Sequence, residues 1–233
     1  MHHAAIVGVH RLQLDDVAPF ADFVGGVLRL LDERITRGGA VAADGYGDVS
    51  VDRCTFKNNE AADIGGAIFL GNPDSDVYRP SFTCTASTFI GNRGTEGYGG
   101  GWGGAVYADS NATINRCSFT GNYANYGGAL FVGGDLTVRD SSFTNNEGDC
   151  AGGAVYMDGS RGVEGSVFLR STFTGNITYQ YGGCDYDAWW GDDWAGGGAI
   201  HSLYNYVTVI SSKFTNNTSQ FDGGDRKSTR LKS

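Results

Sequence analysis

Lysine is nearly missing from this chain: of its four copies, only Lys57 and Lys213 lie before residue 225. A β-elimination lyase needs a strong base, so that scarcity leaves it few candidates, and Lys57 directly follows Phe56 at a turn. Proline is also rare, with three copies against 38 glycines. The glycines keep no three-residue period, which excludes a collagen-type helix. No run of 18 uncharged apolar residues occurs, so no membrane-spanning helix is expected. The opening MHHAAIVGVHRLQLDD lacks a basic stretch leading into an apolar core, so no targeting segment is read. The five cysteines show no zinc-ligand spacing, and neither metal centre nor cofactor is assigned to them. Positive charge is scarce too. Of 17 basic and 26 acidic side chains, four and one lie in residues 225–233, leaving 13 and 25, a net −12, before that point. An acidic body repels phosphate backbones, so nucleic acid is excluded as a partner. Neutral sugars and divalent cations remain compatible with it.

What the chain does have is a double repeat. Gly-Gly-Ala plus an aliphatic residue begins at Gly38, Gly65, Gly103, Gly127, Gly152 and Gly197. Phe-x-x-Asn alternates with it at Phe56/Asn59, Phe89/Asn92, Phe119/Asn122, Phe143/Asn146, Phe173/Asn176 and Phe214/Asn217. Strict alternation marks a solenoid built of one supersecondary unit per repeat. The shortest units span 24 or 25 residues, which predicts three short strands and their turns. After Gly-Gly, the fourth residue is always aliphatic and the sixth small or apolar, so both face inward. The fifth then faces outward, and from the second unit onward it is Phe69, Tyr107, Phe131, Tyr156 and His201. That column reads either as an aromatic shield over the sheet or as a stacking platform for a ligand. Two residues before each Phe the chain is always small (Cys54, Ser87, Cys117, Ser141, Ser171, Ser212), as interdigitating coils require. Asn59, Asn92, Asn122, Asn146, Asn176 and Asn217 read as a structural ladder, each amide donating to one neighbour and accepting from the next.

The alternating phrases resemble the polymorphic outer-membrane protein repeats, which belong with right-handed parallel β-helices of pectin-lyase-like shape. The resemblance spans about residues 38–224. It implies an all-β, single-stranded right-handed parallel β-helix of six to seven coils, extracellular or surface-exposed and commonly adhesive. It carries over no catalytic residue, because those repeats share no active site. Residues 1–37 are expected to be an N-terminal cap or a degenerate first coil, and 38–224 the repeats. Residues 225–233 (DRKSTRLKS) resemble a translated short-read sequencing adapter and are read as a non-native tail. Gly223-Gly224, six residues after Asn217, would begin a seventh phrase that breaks off at Asp225.

Irregularities are where a specific function can reside. Insertions break the spacing at 71–81, 93–102 and 177–196, and the last two occupy the same place in their units, between Asn and Gly-Gly. Both should leave one corner of the solenoid, three coils or about 14 Å apart. Insertion 177–196 gathers Tyr186, Trp189, Trp190 and Trp194 with Asp185, Asp187, Asp192 and Asp193. Flat rings suit sugars, and carboxylates suit hydroxyls or a hard cation such as Ca2+ at 185–193. A carbohydrate or a cell-surface protein is therefore the expected partner, and a self-packed loop is the plain alternative. No pectin-lyase or polygalacturonase signature is present, so no catalytic residue is named. A polysaccharide lyase or glycoside hydrolase of the same fold and a structural spacer remain the competing readings. Cys54, Cys84 and Cys117 read as small core residues. Cys150 and Cys184 lie in Asn-to-Gly loops of adjacent units, and a disulfide between them is expected if the chain is secreted.

Overall fold

A computed structural model describes residues 37–44, 48–71, 81–95, 101–159, 164–179 and 196–220, with the backbone of four short strands between residues 6 and 30. Each repeat unit forms one coil of four strands. In the third coil these are Val106–Ala108, Ala112–Asn115, Ser118–Thr120 and Tyr123–Tyr126. Every strand pairs in parallel with its counterparts one coil before and one coil after, giving four sheets of six parallel strands. This is a right-handed parallel β-helix of six coils, the hand that right-twisted strands favour in parallel crossovers. The expected three strands per unit are in fact four. The stretch after each Asn is extended for as few as two residues, as in Glu60–Ala61, yet still pairs with its neighbours. No helix of the described residues is long and apolar enough to cross a membrane.

Three backbone corners per coil lie in the left-handed region. The first glycine of each pair does so, with φ between 62° and 70°. So does the residue two after Phe, which is Asn58, Gly91, Gly121, Asn145, Gly175 or Asn216, the residue types that tolerate this conformation best. The third corner, three before Phe, is occupied by Arg53, Ala86, Arg116, Asp140, Arg170 and Ser211. The second glycine is required for a different reason. A Cβ on Gly128 would lie 2.3 Å from the Gly153 carbonyl oxygen in the next coil and 2.4 Å from that of Glu147, on the strand that closes its own coil. Coils stack here backbone on backbone.

Inside the coils, like stacks on like. The phenylalanines Phe56, Phe89, Phe119, Phe143, Phe173 and Phe214 form one column, with ring centroids 4.7–4.9 Å apart and planes within 6° of parallel. Beside it runs the asparagine ladder. Asn122 Nδ2 donates to Asn146 Oδ1 at 2.9 Å and to the Phe89 carbonyl at 3.2 Å, while its backbone N–H also donates to Asn146 Oδ1 at 3.0 Å. The same pattern links Asn59 through to Asn217. The small-residue column is a second ladder. Backbone N–H groups of Cys54, Cys117, Ser141 and Ser171 donate to the hydroxyls of Ser87, Ser141, Ser171 and Ser212 in the next coil. The hydroxyl, and not its size alone, selects serine there.

At the N-terminal end, Ile6–Val7 and Arg11–Leu14 pair antiparallel with the first strands of two sheets, Thr55–Lys57 and Val49–Asp52. Ala21–Val24 and Val27–Leu30 pair antiparallel with each other.

Candidate functional site

The sheet that follows the asparagines positions both late insertions. Arg93, Tyr123, Glu147 and Ile177, each one residue after a ladder Asn, share one register on four consecutive strands. The second insertion starts beside Arg93 and the third at Ile177, so they leave the same sheet edge three strands, or about 14 Å, apart. They rejoin the coil at equivalent points, where Trp102 bridges to Tyr126 and Gly196 to Ala151. Between them lie two short coils, whose outward side chains face the gap.

Those side chains interact. The Arg93 guanidinium sits 4.6 Å over the Tyr123 ring, and the Tyr123 hydroxyl donates to Asp149. Burial and the Asp149 carboxylate raise the Tyr123 phenol far above its usual value. Burial, then Asp149, also lifts the Glu147 carboxyl. Asp149 lies on the strand Glu147–Ala151, opposite a register shift between Ala124 and Tyr126. Asn125 sits at that bulge, and its Oδ1 is buried without a hydrogen-bond partner.

An aromatic cluster adjoins this polar one. Phe69, Tyr107, Phe131, Tyr156 and His201 stack in order at 4.8–5.4 Å between centroids. Trp102 packs on Phe131 at 4.8 Å and on Tyr126 at 5.5 Å. Phe69, Phe131 and Tyr156 are only 1–2% exposed, so the column shields the sheet and offers no open platform. Its terminal His201 has Nε2 buried without a partner, and burial lowers its pKa to about 4. The unfolded chain takes up that proton below about pH 6.5, whereas the folded chain does not until about pH 4. Stability is therefore expected to fall as pH drops through this window, by about 2 kcal/mol between pH 7 and pH 4.5, and to level off below it. His201→Phe keeps a ring in the stack and should lose that component. Urea unfolding of both proteins at the two pH values measures it.

The loop residues Tyr186, Trp189, Trp190, Trp194, Asp185, Asp187, Asp192 and Asp193 lie outside the described residues, and so does Cys184. Cys150 is buried and disulfide-bonded, while Cys54, Cys84 and Cys117 are buried thiols. Among the described residues no group of three His, Cys, Asp or Glu could hold a metal ion. Sequence reading did not single out Arg93, Tyr123, Asn125, Glu147 or Asp149. Their one signal was the run of charged and aromatic types directly after the ladder asparagines.

The Chlamydia polymorphic membrane protein repeat matches residues 53–71 and 140–158. Each match runs through one Phe-x-x-Asn into the next Gly-Gly-Ala, and the repeat points to the outer membrane or cell surface. No curated protein and no solved structure matches the chain.

Proposed function

We propose that this parallel β-helix of polymorphic membrane protein-type repeats is a surface-exposed binding or adhesion module without catalysis of its own. Its contact region is insertion 177–196 together with the sheet face beside it. The observation that carries this reading is the shared exit of two insertions from one register of one sheet, flanking Arg93, Tyr123, Glu147 and Asp149. A β-helix is uniform along its length, so a departure from uniformity twice at one place marks a surface under separate selection. The ligand class is a carbohydrate or a cell-surface protein. Trp189, Trp190 and Trp194 supply stacking faces, and Asp185, Asp187, Asp192 and Asp193 accept from hydroxyls or hold Ca2+. Cys184 is the partner proposed for Cys150, tying the base of this loop to the coil before it.

One observation favours a second reading, polysaccharide cleavage. Glu147 and Asp149 are two residues apart on one strand, which sets their backbones about 7 Å apart, and the Glu147 carboxyl is held protonated more readily than usual. Two carboxyls flanking one bound sugar are what acid/base glycoside cleavage requires. A glycan array and an intact-cell binding assay, run beside a polysaccharide-degradation assay, separate the readings. Binding that drops at least tenfold in Trp189→Ala/Trp190→Ala, with unchanged melting and no product, is the expected result. Product formation that Glu147→Gln abolishes would transfer the assignment to an enzyme. Failure to bind glycans and cells alike would leave a spacer.

A further inference from the structure

Two thiols sit against each other in the core, on the coils that flank the second insertion. Cys84 belongs to the strand Phe82–Thr85, in the column of Val51, Ile114 and Val138. Cys117 belongs to the next coil, in the small-residue column otherwise filled mostly by serine. Their Sγ atoms are 3.1 Å apart. The same two columns meet at every coil junction, as Val51 with Ser87, Ile114 with Ser141 and Val138 with Ser171. Only the junction of the second and third coils brings sulfur to sulfur among the described residues. At Cys117 a thiol sulfur takes the place of the serine hydroxyl and accepts from the Ser87 backbone N–H.

We propose that Cys84 and Cys117 are joined by a disulfide in the mature, surface-located protein, locking the second coil to the third. The Sγ separation needs to close by about 1 Å to reach bonding length. The repeat points to a surface location, where oxidising conditions let such a bond form and persist. The reaction is thiol–disulfide exchange with a small-molecule or protein disulfide. The Cys117 thiolate attacks one sulfur of that oxidant, whose S–S bond breaks to release one thiolate. The Cys84 thiolate then attacks the Cys117 sulfur of the mixed disulfide and releases the second half. Two cysteine thiols lose two protons and two electrons, and the oxidant leaves as two thiols. With Cys84 and Cys117 only 0% and 3% exposed, the exchange belongs to assembly, before the third coil closes over the second. Cys54 reaches the Asp52 carbonyl at 3.3 Å and stays a thiol.

The cross-link brackets residues 93–102, so both ends of that insertion would be held on coils that cannot separate. The test is protein exported through an oxidising secretory pathway, denatured and alkylated without reductant, then digested with trypsin. The expected result is one alkylated cysteine, Cys54, and a linked pair of fragments, 58–93 with 117–139, that separates on reduction. Cys117→Ser should free Cys84 to alkylation and leave the Cys150 link intact, and Cys54→Ser should change neither link. Three alkylated cysteines at Cys54, Cys84 and Cys117, in protein whose Cys150 is linked, overturn the proposal. A link from Cys54 to either of the others does the same.

Discussion

Asn122→Ala is expected to remove roughly 2–6 kcal/mol of stability, enough to break the β-helix at its middle. The side-chain oxygen of Asn122 accepts twice from Asn92, from the backbone N–H at 2.9 Å and from Nδ2 at 2.9 Å. Both asparagines are fully buried, so water cannot replace the lost acceptor. Two orphaned buried donors at about 1–3 kcal/mol each give the range, before counting the donor that the Phe89 carbonyl loses. Whole domains of this size class are stable by only about 5–15 kcal/mol. In a stacked array the damage stays with the neighbouring coils; it is greatest between the second and third, where two donors are orphaned, and smaller between the third and fourth, where one bond to Asn146 is lost. Asn217→Ala supplies the contrast. Asn217 accepts from Asn176 in the same way, but it is itself half-buried in the last described coil, so a water entering at its place can accept from the Asn176 donors. Its loss should cost about 1 kcal/mol. Urea unfolding of the two variants, followed by hydrogen exchange at the Asn92 amide, checks both. Equal costs at the two positions would mean that the ladder is not what holds the coils together.

The parts of this fold that were readable in the sequence are those where a coil must match its neighbours. A phenylalanine stacks without twist only on another phenylalanine, and an amide ladder needs an amide at each rung. Identity at a fixed offset was therefore a direct record of contact. The left-handed corner two residues after Phe was equally legible in principle, since it holds nothing but Asn and Gly. The corner three residues before Phe was not, because Arg53, Ala86 and Asp140 adopt it without any glycine to announce it. There the stacked sheets on either side impose the conformation against local preference. The fourth strand escaped for a related reason. It is as short as two residues, shows no alternation, and exists only because the coil above it presents a partner. Serine before Phe was understood by its size, whereas its oxygen is a rung. The polar cluster was the least legible. Arg93, Tyr123 and Glu147 share a register but no chemistry, and a reading built on sameness passes over a place defined by difference. Asp149 and Asn125 further depend on a bulge that no residue type advertises.

Phe119→Ala tests the other column and should be as costly by a different route. Phe119 is completely buried and stacks on Phe89 at 4.7 Å and on Phe143 at 4.8 Å, with planes tilted by 4° and 3°. Removing the ring leaves a ring-sized void between two others. Most cores relax into such a space, but here the coils above and below are held apart by parallel hydrogen bonds in four sheets. The cavity should therefore persist, placing the loss near the top of the usual 3–5 kcal/mol for Phe→Ala. Phe214→Ala should cost far less, about 1 kcal/mol, because that ring is 44% exposed and, among the described residues, stacks on Phe173 alone. Phe119→Leu refills much of the volume without the stack, and its smaller loss would isolate the ring contacts, about 0.5–1.5 kcal/mol for each face. Combining Phe119→Ala with Asn122→Ala adds a sharper criterion. Both act on the third coil and its neighbours, so once one has loosened that coil the other has less left to remove. The double variant should fall short of the sum by more than about 0.5 kcal/mol. Strict additivity would show that the aromatic column and the amide ladder hold the coils independently, and would contradict the rigid frame that makes each of them expensive to lose.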